Sequence, residues 1–115
     1  MTSPPPTPGS GPIDLKHLER MTLGDPGLTR EVLGMFARQA GQLAATLAGW
    51  PPEAAALAHT LKGSARAIGA GRVAEAAGAL EAALRDGHRS EPMLGELRDA
   101  VTEADAAIAR LLQGA

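Results

Sequence analysis

Hydrophobic positions recur along this chain at steps of three and four residues, with polar positions between them, from Leu15 to Leu111. That step traces one stripe of an α-helix, and no run alternates at every second residue as a strand would. The last run is the most regular. Leu94, Leu97, Val101, Ala104, Ile108 and Leu111 form a seam, and Ser90-Glu91-Pro92 ahead of them supplies a capping residue and a first-turn proline. Before it, Val73, Ala76, Ala77, Leu80 and Leu84 predict a helix from about Arg72 to Asp86, stopped by Asp86-Gly87. Leu57, Leu61, Ala65 and Ile68 predict another from Glu53 to Ile68, with Pro52 and Glu53 suited to its first turn and Gly69-Ala70-Gly71 behind it.

Val32, Phe36, Ala40, Leu43 and Leu47 predict a long helix from Leu28 or Thr29 to Gly49, closed by Gly49 and Pro51-Pro52. Trp50, at that corner, is expected to plug the end of the structure. A short helix capped by Asp14 should run to Met21 with Leu15, Leu18 and Met21 inward, and Gly24-Asp25-Pro26-Gly27 should break the chain after it. The pattern therefore predicts an all-α protein of four substantial helices and a short leading one, with short links that make consecutive helices antiparallel. Residues 1–12 are Pro, Ser, Thr and Gly with little to bury and are expected to be a disordered tail or linker, leaving 13–115 as one helical domain.

Composition narrows the picture further. At 115 residues the chain suits a single core, and its only aromatics are Phe36 and Trp50, so that core must be Leu, Ala, Val, Ile and Met. A formal net charge of -2 argues against a general nucleic-acid binder, which would be strongly basic. Cysteine is absent, which removes disulfide and thiol chemistry and fits a cytoplasmic protein. No apolar run is long enough to span a membrane, and no basic segment followed by an apolar one suggests a signal peptide.

One polar position in this pattern carries chemistry. His59 lies roughly 200° around its helix from Leu57, at about 100° per residue, and so points away from the core. Lys62, Gly63 and Arg66 follow at three, four and seven residues and share its face. The glycine costs about 1 kcal/mol relative to alanine in a helix interior, and leaving the surface beside the imidazole open is a physical reason for it. A neutral imidazole is a nucleophile near pH 7, and the two cations would draw an anion to it. Together these point to phosphoryl transfer to His59. Taken alone, a solvent-facing histidine among Lys and Arg is an ordinary feature of helix surfaces, and Gly63 could simply allow close packing.

The segment Ala58-His59-Thr60-Leu61-Lys62-Gly63-Ser64-Ala65, followed by Ile68-Gly69-Ala70 and then Leu80-Glu81, closely resembles the histidine-containing phosphotransfer (HPt) domain of multistep two-component signalling. The short helix, Gly-Asp-Pro turn and long helix carrying Phe36 precede the motif in the family's order. The resemblance implies an up-and-down four-helix bundle with a short extra N-terminal helix, and His59 exposed near the middle of one helix. His59 would accept a phosphoryl group from a receiver-domain aspartate and pass it to another. The match at Lys62 implies electrostatic support of the phosphoryl oxygens, and the match at Gly63 implies room for the partner's active site. Ser64 also matches, but its angle puts it nearer the core, with a local hydrogen-bonding role at best.

Arg66 takes no role from the family; its position suits a docking charge, and equally a solvated arginine. Gln39 and Gln42 could face His59 across a groove and are left unassigned. The implied partners are receiver domains of response regulators or of a hybrid histidine kinase, with no nucleic acid, no membrane and a monomeric chain. With no carboxylate cluster and no phosphate-binding glycine loop, the chain should need no cofactor or kinase activity of its own. Mg²⁺ would then come with the receiver.

His17 and His88 have no ligand spacing to one another, so a zinc site is not expected. No Ser-His-Asp or paired-carboxylate arrangement is apparent. Two other readings stand beside phosphotransfer: a non-catalytic helical module that binds a receiver or a partner helix, and a structural bundle that dimerises through the last helix.

Overall fold

The computed structural model describes residues 11–113, and among them every regular element is a helix: α1 (Leu15–Thr22), α2 (Pro26–Leu47), α3 (Ala54–Ile68), α4 (Gly71–Arg85) and α5 (Glu91–Gln113). The tail expected over residues 1–12 lies, as far as Ser10, outside the described residues; Ile13, where the domain was expected to begin, is already buried. α2 packs on α3 and α5, α4 also packs on α3 and α5, and α1 lies against α2 and α3. The most extensive of these contacts is between α3 and α4. Small residues are frequent on the buried faces of these two helices, where Ala58, Ala65, Ala74 and Ala77 are all buried. Leu33, Leu47, Leu61, Leu80, Leu97 and Ile108 fill the core at about 1.5–3 kcal/mol each for full burial.

The helix starts follow cap chemistry. Asp14 Oδ1 accepts from the His17 backbone N–H at 3.1 Å, and Asp25 Oδ1 accepts from Gly27 and Leu28 at 2.9 and 3.1 Å. The Asp25 cap explains why α2 begins at Pro26 rather than at Leu28 or Thr29. The proline that reads as a breaker occupies the first turn, where its missing N–H is not needed. Ser90 Oγ accepts from Met93 N–H at 3.3 Å and starts α5 where the pattern placed it.

The inward stripes differ from prediction in every helix, in α3 and α5 only in that, of the expected positions, Leu57 and Leu111 are half-buried. In α1, Leu15 and Met21 are exposed, while Leu18 and Thr22 are buried. A threonine can take the inward position because its hydroxyl donates to the Leu18 carbonyl at 2.9 Å and leaves no polar group unpaired. In α2, Val32 and Leu43 are half-buried, and Leu33 and Ala44 are buried instead. α2 packs against three helices, so its buried face is broader than one line and these two fall at its edge. In α4, Ala76 and Leu84 are half-buried, whereas Ala74 and the carboxylate residue Glu81 are buried. Trp50 is half-buried at the end of α2 and donates from Nε1 to Glu91 Oε1 at 3.1 Å, linking that corner to the start of α5.

α1 is fastened to the end of α3. The Asp14 N–H donates to the Gly69 carbonyl at 2.8 Å, and His17 Nε2 donates to the Ala67 carbonyl at 2.9 Å. His17 thus helps to cap a helix C-terminus. Gly69 closes α3 at φ 84°, and a Cβ there would lie 3.0 Å from the Asp14 carbonyl oxygen. Gly69→Ala should therefore lower stability by about 2 kcal/mol, from strain at positive φ together with the crowded contact. Thermal unfolding followed by Trp50 fluorescence checks this, and an unchanged midpoint would show the fastening to be dispensable.

Candidate functional site

The spacing of α3 puts His59 on the outside of the bundle, with 61% of its side chain exposed. Two residues before and after it, Leu57 is half-buried and Leu61 fully buried, so the ring stands on a helix anchored from below. The close approach of α4 brings a second group to the ring: Glu81 Oε2 lies 3.0 Å from His59 Nδ1.

Glu81 is the organising residue. Its side chain is only 9% exposed, yet four hydrogen bonds reach it. Lys62 Nζ donates to Oε1 at 2.7 Å, while Arg85 donates to Oε2 from Nε at 3.0 Å and from a terminal nitrogen at 2.8 Å. The Lys62 ammonium and then the Arg85 guanidinium outweigh the cost of burial and hold the Glu81 carboxyl down from the ordinary 4.5 to about 2. The group is therefore ionised at neutral pH and can only accept hydrogen bonds. His59 Nδ1 must then be the protonated nitrogen of the ring. In the neutral imidazole, Nε2 keeps its lone pair, with no protein hydrogen-bond partner among the described residues.

Two cations and one anion leave a net charge of +1 beside the ring. Arg85 remains 59% exposed and Lys62 20% exposed, so part of that charge is available to an incoming anion. Lys62 departs from expectation: it is half-buried and turned toward α4, because a buried carboxylate there attracts it. The space beside Gly63 is open, since a Cβ built on it would meet nothing within 4 Å. Arg66 is exposed and makes no ion pair among the described residues, so it is not part of the network. Gln39 is half-buried and Gln42 exposed, and neither hydrogen-bonds His59. Ser64 is half-buried, consistent with its place toward the core.

Glu81 and Arg85 are the residues of this network that periodicity alone passed over. A signal was present. Glu81 follows Ala77 by four residues on an otherwise apolar stripe, and Arg85 follows Glu81 by four, the spacing of a helical ion pair.

An apolar cavity of about 290 Å³ is lined by Leu15, Leu18, Thr22, Leu33 and Leu111 among others, and by none of the network residues. The His59 ring is thus presented on an open face of α3 and not in that cavity. No helix of the described residues is long and apolar enough to cross a membrane.

A family model described as the Hpt domain matches residues 31–113, which include α3, α4, α5 and most of α2. Comparison with curated proteins gives no match.

Because folding depresses the Glu81 pKa, its stabilising effect is complete above about pH 4.5 and is lost as pH falls toward 2. Glu81→Gln should cost up to about 3 kcal/mol near neutral pH, and the gap to the wild type should shrink in acid. Denaturant unfolding at about pH 7 and about pH 2.5 measures this, and an equal gap at both would contradict an ionised, paired carboxylate.

Proposed function

The chain belongs to the Hpt domain family, and on that premise we propose that it relays phosphoryl groups through His59 between receiver-domain aspartates in two-component signalling. The observation that carries the reading is the His59–Glu81 hydrogen bond on a largely exposed ring, which fixes the proton on Nδ1 and leaves Nε2 bare.

The lone pair on Nε2 attacks the phosphorus of an aspartyl-phosphate. A nitrogen–phosphorus bond forms, the bond from phosphorus to the carboxylate oxygen breaks, and the aspartate leaves with that electron pair. The ring becomes a phosphorylated imidazolium whose positive charge is shared through Nδ1–H with the Glu81 carboxylate. No proton needs to leave. Transfer onward reverses these steps against a second aspartate. Such chemistry asks for position and charge neutralisation more than for many catalytic groups. Lys62 supplies charge beside the phosphoryl oxygens, Arg85 adds to it, and the receiver brings Mg²⁺. The open surface at Gly63 admits the receiver, and the exposed Arg66 offers a docking charge to an acidic pocket.

In this reading the domain begins near Ile13, and its four long helices form an antiparallel up-and-down bundle with α1 as the short extra helix. The protein works as a cytoplasmic monomer, without kinase activity of its own, alongside response regulators or a hybrid kinase.

Incubation with a phosphorylated receiver domain should give acid-labile label on the chain, and His59→Gln should abolish it while leaving the helical spectrum intact. Label on the variant would reject His59 as acceptor. Tight receiver binding with no phosphate ever reaching the wild type would favour a non-catalytic interaction module. Lys62→Ala should slow transfer by less than the roughly 100-fold lost with one enclosed oxyanion donor, because the site is open to water and Arg85 remains. It should also cost stability, because it leaves Glu81 with one fewer cation. Gly63→Ala should raise stability by up to about 1 kcal/mol, yet require more receiver for half-maximal transfer.

A further inference from the structure

Gly78 lies in the interior of α4, where glycine is a weaker helix former than alanine. Nothing in the backbone asks for it. The glycines at positive φ among the described residues are Gly24, Gly69 and Gly87. A Cβ built on Gly78 would come within 4 Å of one neighbouring atom, Cδ of Lys62, at 3.2 Å. That is closer than an ordinary carbon–carbon contact of 3.5–4.0 Å, roughly. The space left by the missing side chain is therefore taken by the lysine stem.

The position along α4 gives this contact its meaning. Gly78 and Glu81 are three residues apart and share a helix face. The Lys62 stem crosses α4 at Gly78, and its ammonium reaches Glu81 Oε1, one turn further on, at 2.7 Å. A lysine free in solvent has many rotamers to lose before its charge can be placed. Laid along a helix surface without a side chain in the way, it has few.

We infer that Gly78 is a positioning residue for phosphoryl transfer: its bare Cα is the seat that lays Lys62 along α4 and delivers the ammonium beside His59. The inference rests on the reading of His59 as the phosphoacceptor. It also separates two glycines that face the same chemistry. Gly63 keeps space open for another molecule, whereas Gly78 keeps space for a side chain of this one. Filling the first should hinder docking. Filling the second should move a charge and slow the chemical step with docking unaffected.

The test measures transfer from a phosphorylated receiver domain over a range of receiver concentrations, for the wild type, Gly78→Ala, Gly78→Val, Lys62→Ala and each Gly78 variant combined with Lys62→Ala. The maximal rate should fall about 3-fold for alanine and about 10-fold for valine, with the half-saturating receiver concentration unchanged. Gly78→Ala should melt no lower than the wild type, which separates the loss of rate from any loss of fold. In the Lys62→Ala background neither substitution should slow transfer further, because its effect passes through the lysine. The Glu81 carboxyl, followed by carbon NMR in Gly78→Val, should titrate above its wild-type value of about 2 as the ammonium withdraws.

Wild-type rates in both variants, or slowing that persists undiminished without Lys62, would overturn the inference. The Glu81 titration reads the seat without any receiver. Failure of the phosphotransfer reading, seen as a wild type that takes no label, is thereby told apart from failure of the seat, seen as an unmoved titration.

Discussion

One buried carboxylate organises the polar network on this bundle. Glu81 accepts from a lysine, an arginine and a histidine, and each partner gains something different from it. The imidazole gains a defined tautomer, the lysine a defined place, and the arginine an anchor for a side chain that otherwise reaches into solvent. A carboxylate withdrawn from water in this way is tolerated only while its partners stay, since a buried charge left alone is costly. The constraint is mutual: the cations keep Glu81 ionised, and the ionised Glu81 keeps the proton on Nδ1.

The fold serves this arrangement through the packing of α3 on α4. That packing is close enough for a glutamate on one helix to reach a histidine and a lysine on the other. The other helices support the pair from behind, with α2 and α5 completing the core and α1 fastened to the last turn of α3. His59 thus projects from a well-anchored helix, which would suit the proposed transfer, a reaction whose rate depends on position.

Much of this was legible from the chain. Five helices, the exposure of His59 and the open space beside Gly63 all follow from the spacing of apolar residues and the cost of a mid-helix glycine. What escaped was contact between elements. Periodicity says which face of α4 is apolar, but not that the one acid on it meets a histidine twenty-two residues earlier. It likewise puts Lys62 on the His59 face and cannot see the carboxylate that draws it toward α4. Pro26 misled for a local reason, because a proline after an aspartate reads as a break or as a first turn, and only the Asp25 cap decides. Thr22 took an inward position expected of Met21 because its hydroxyl could be satisfied within the helix.

The central claim concerns where one proton resides. Nitrogen NMR of the His59 ring reads it directly, at a pH where the imidazole is neutral and again after phosphorylation by a receiver. The account predicts the proton on Nδ1 before transfer and phosphorus coupled to Nε2 after it. A ring protonated on Nε2, or phosphorus coupled to Nδ1, would contradict it.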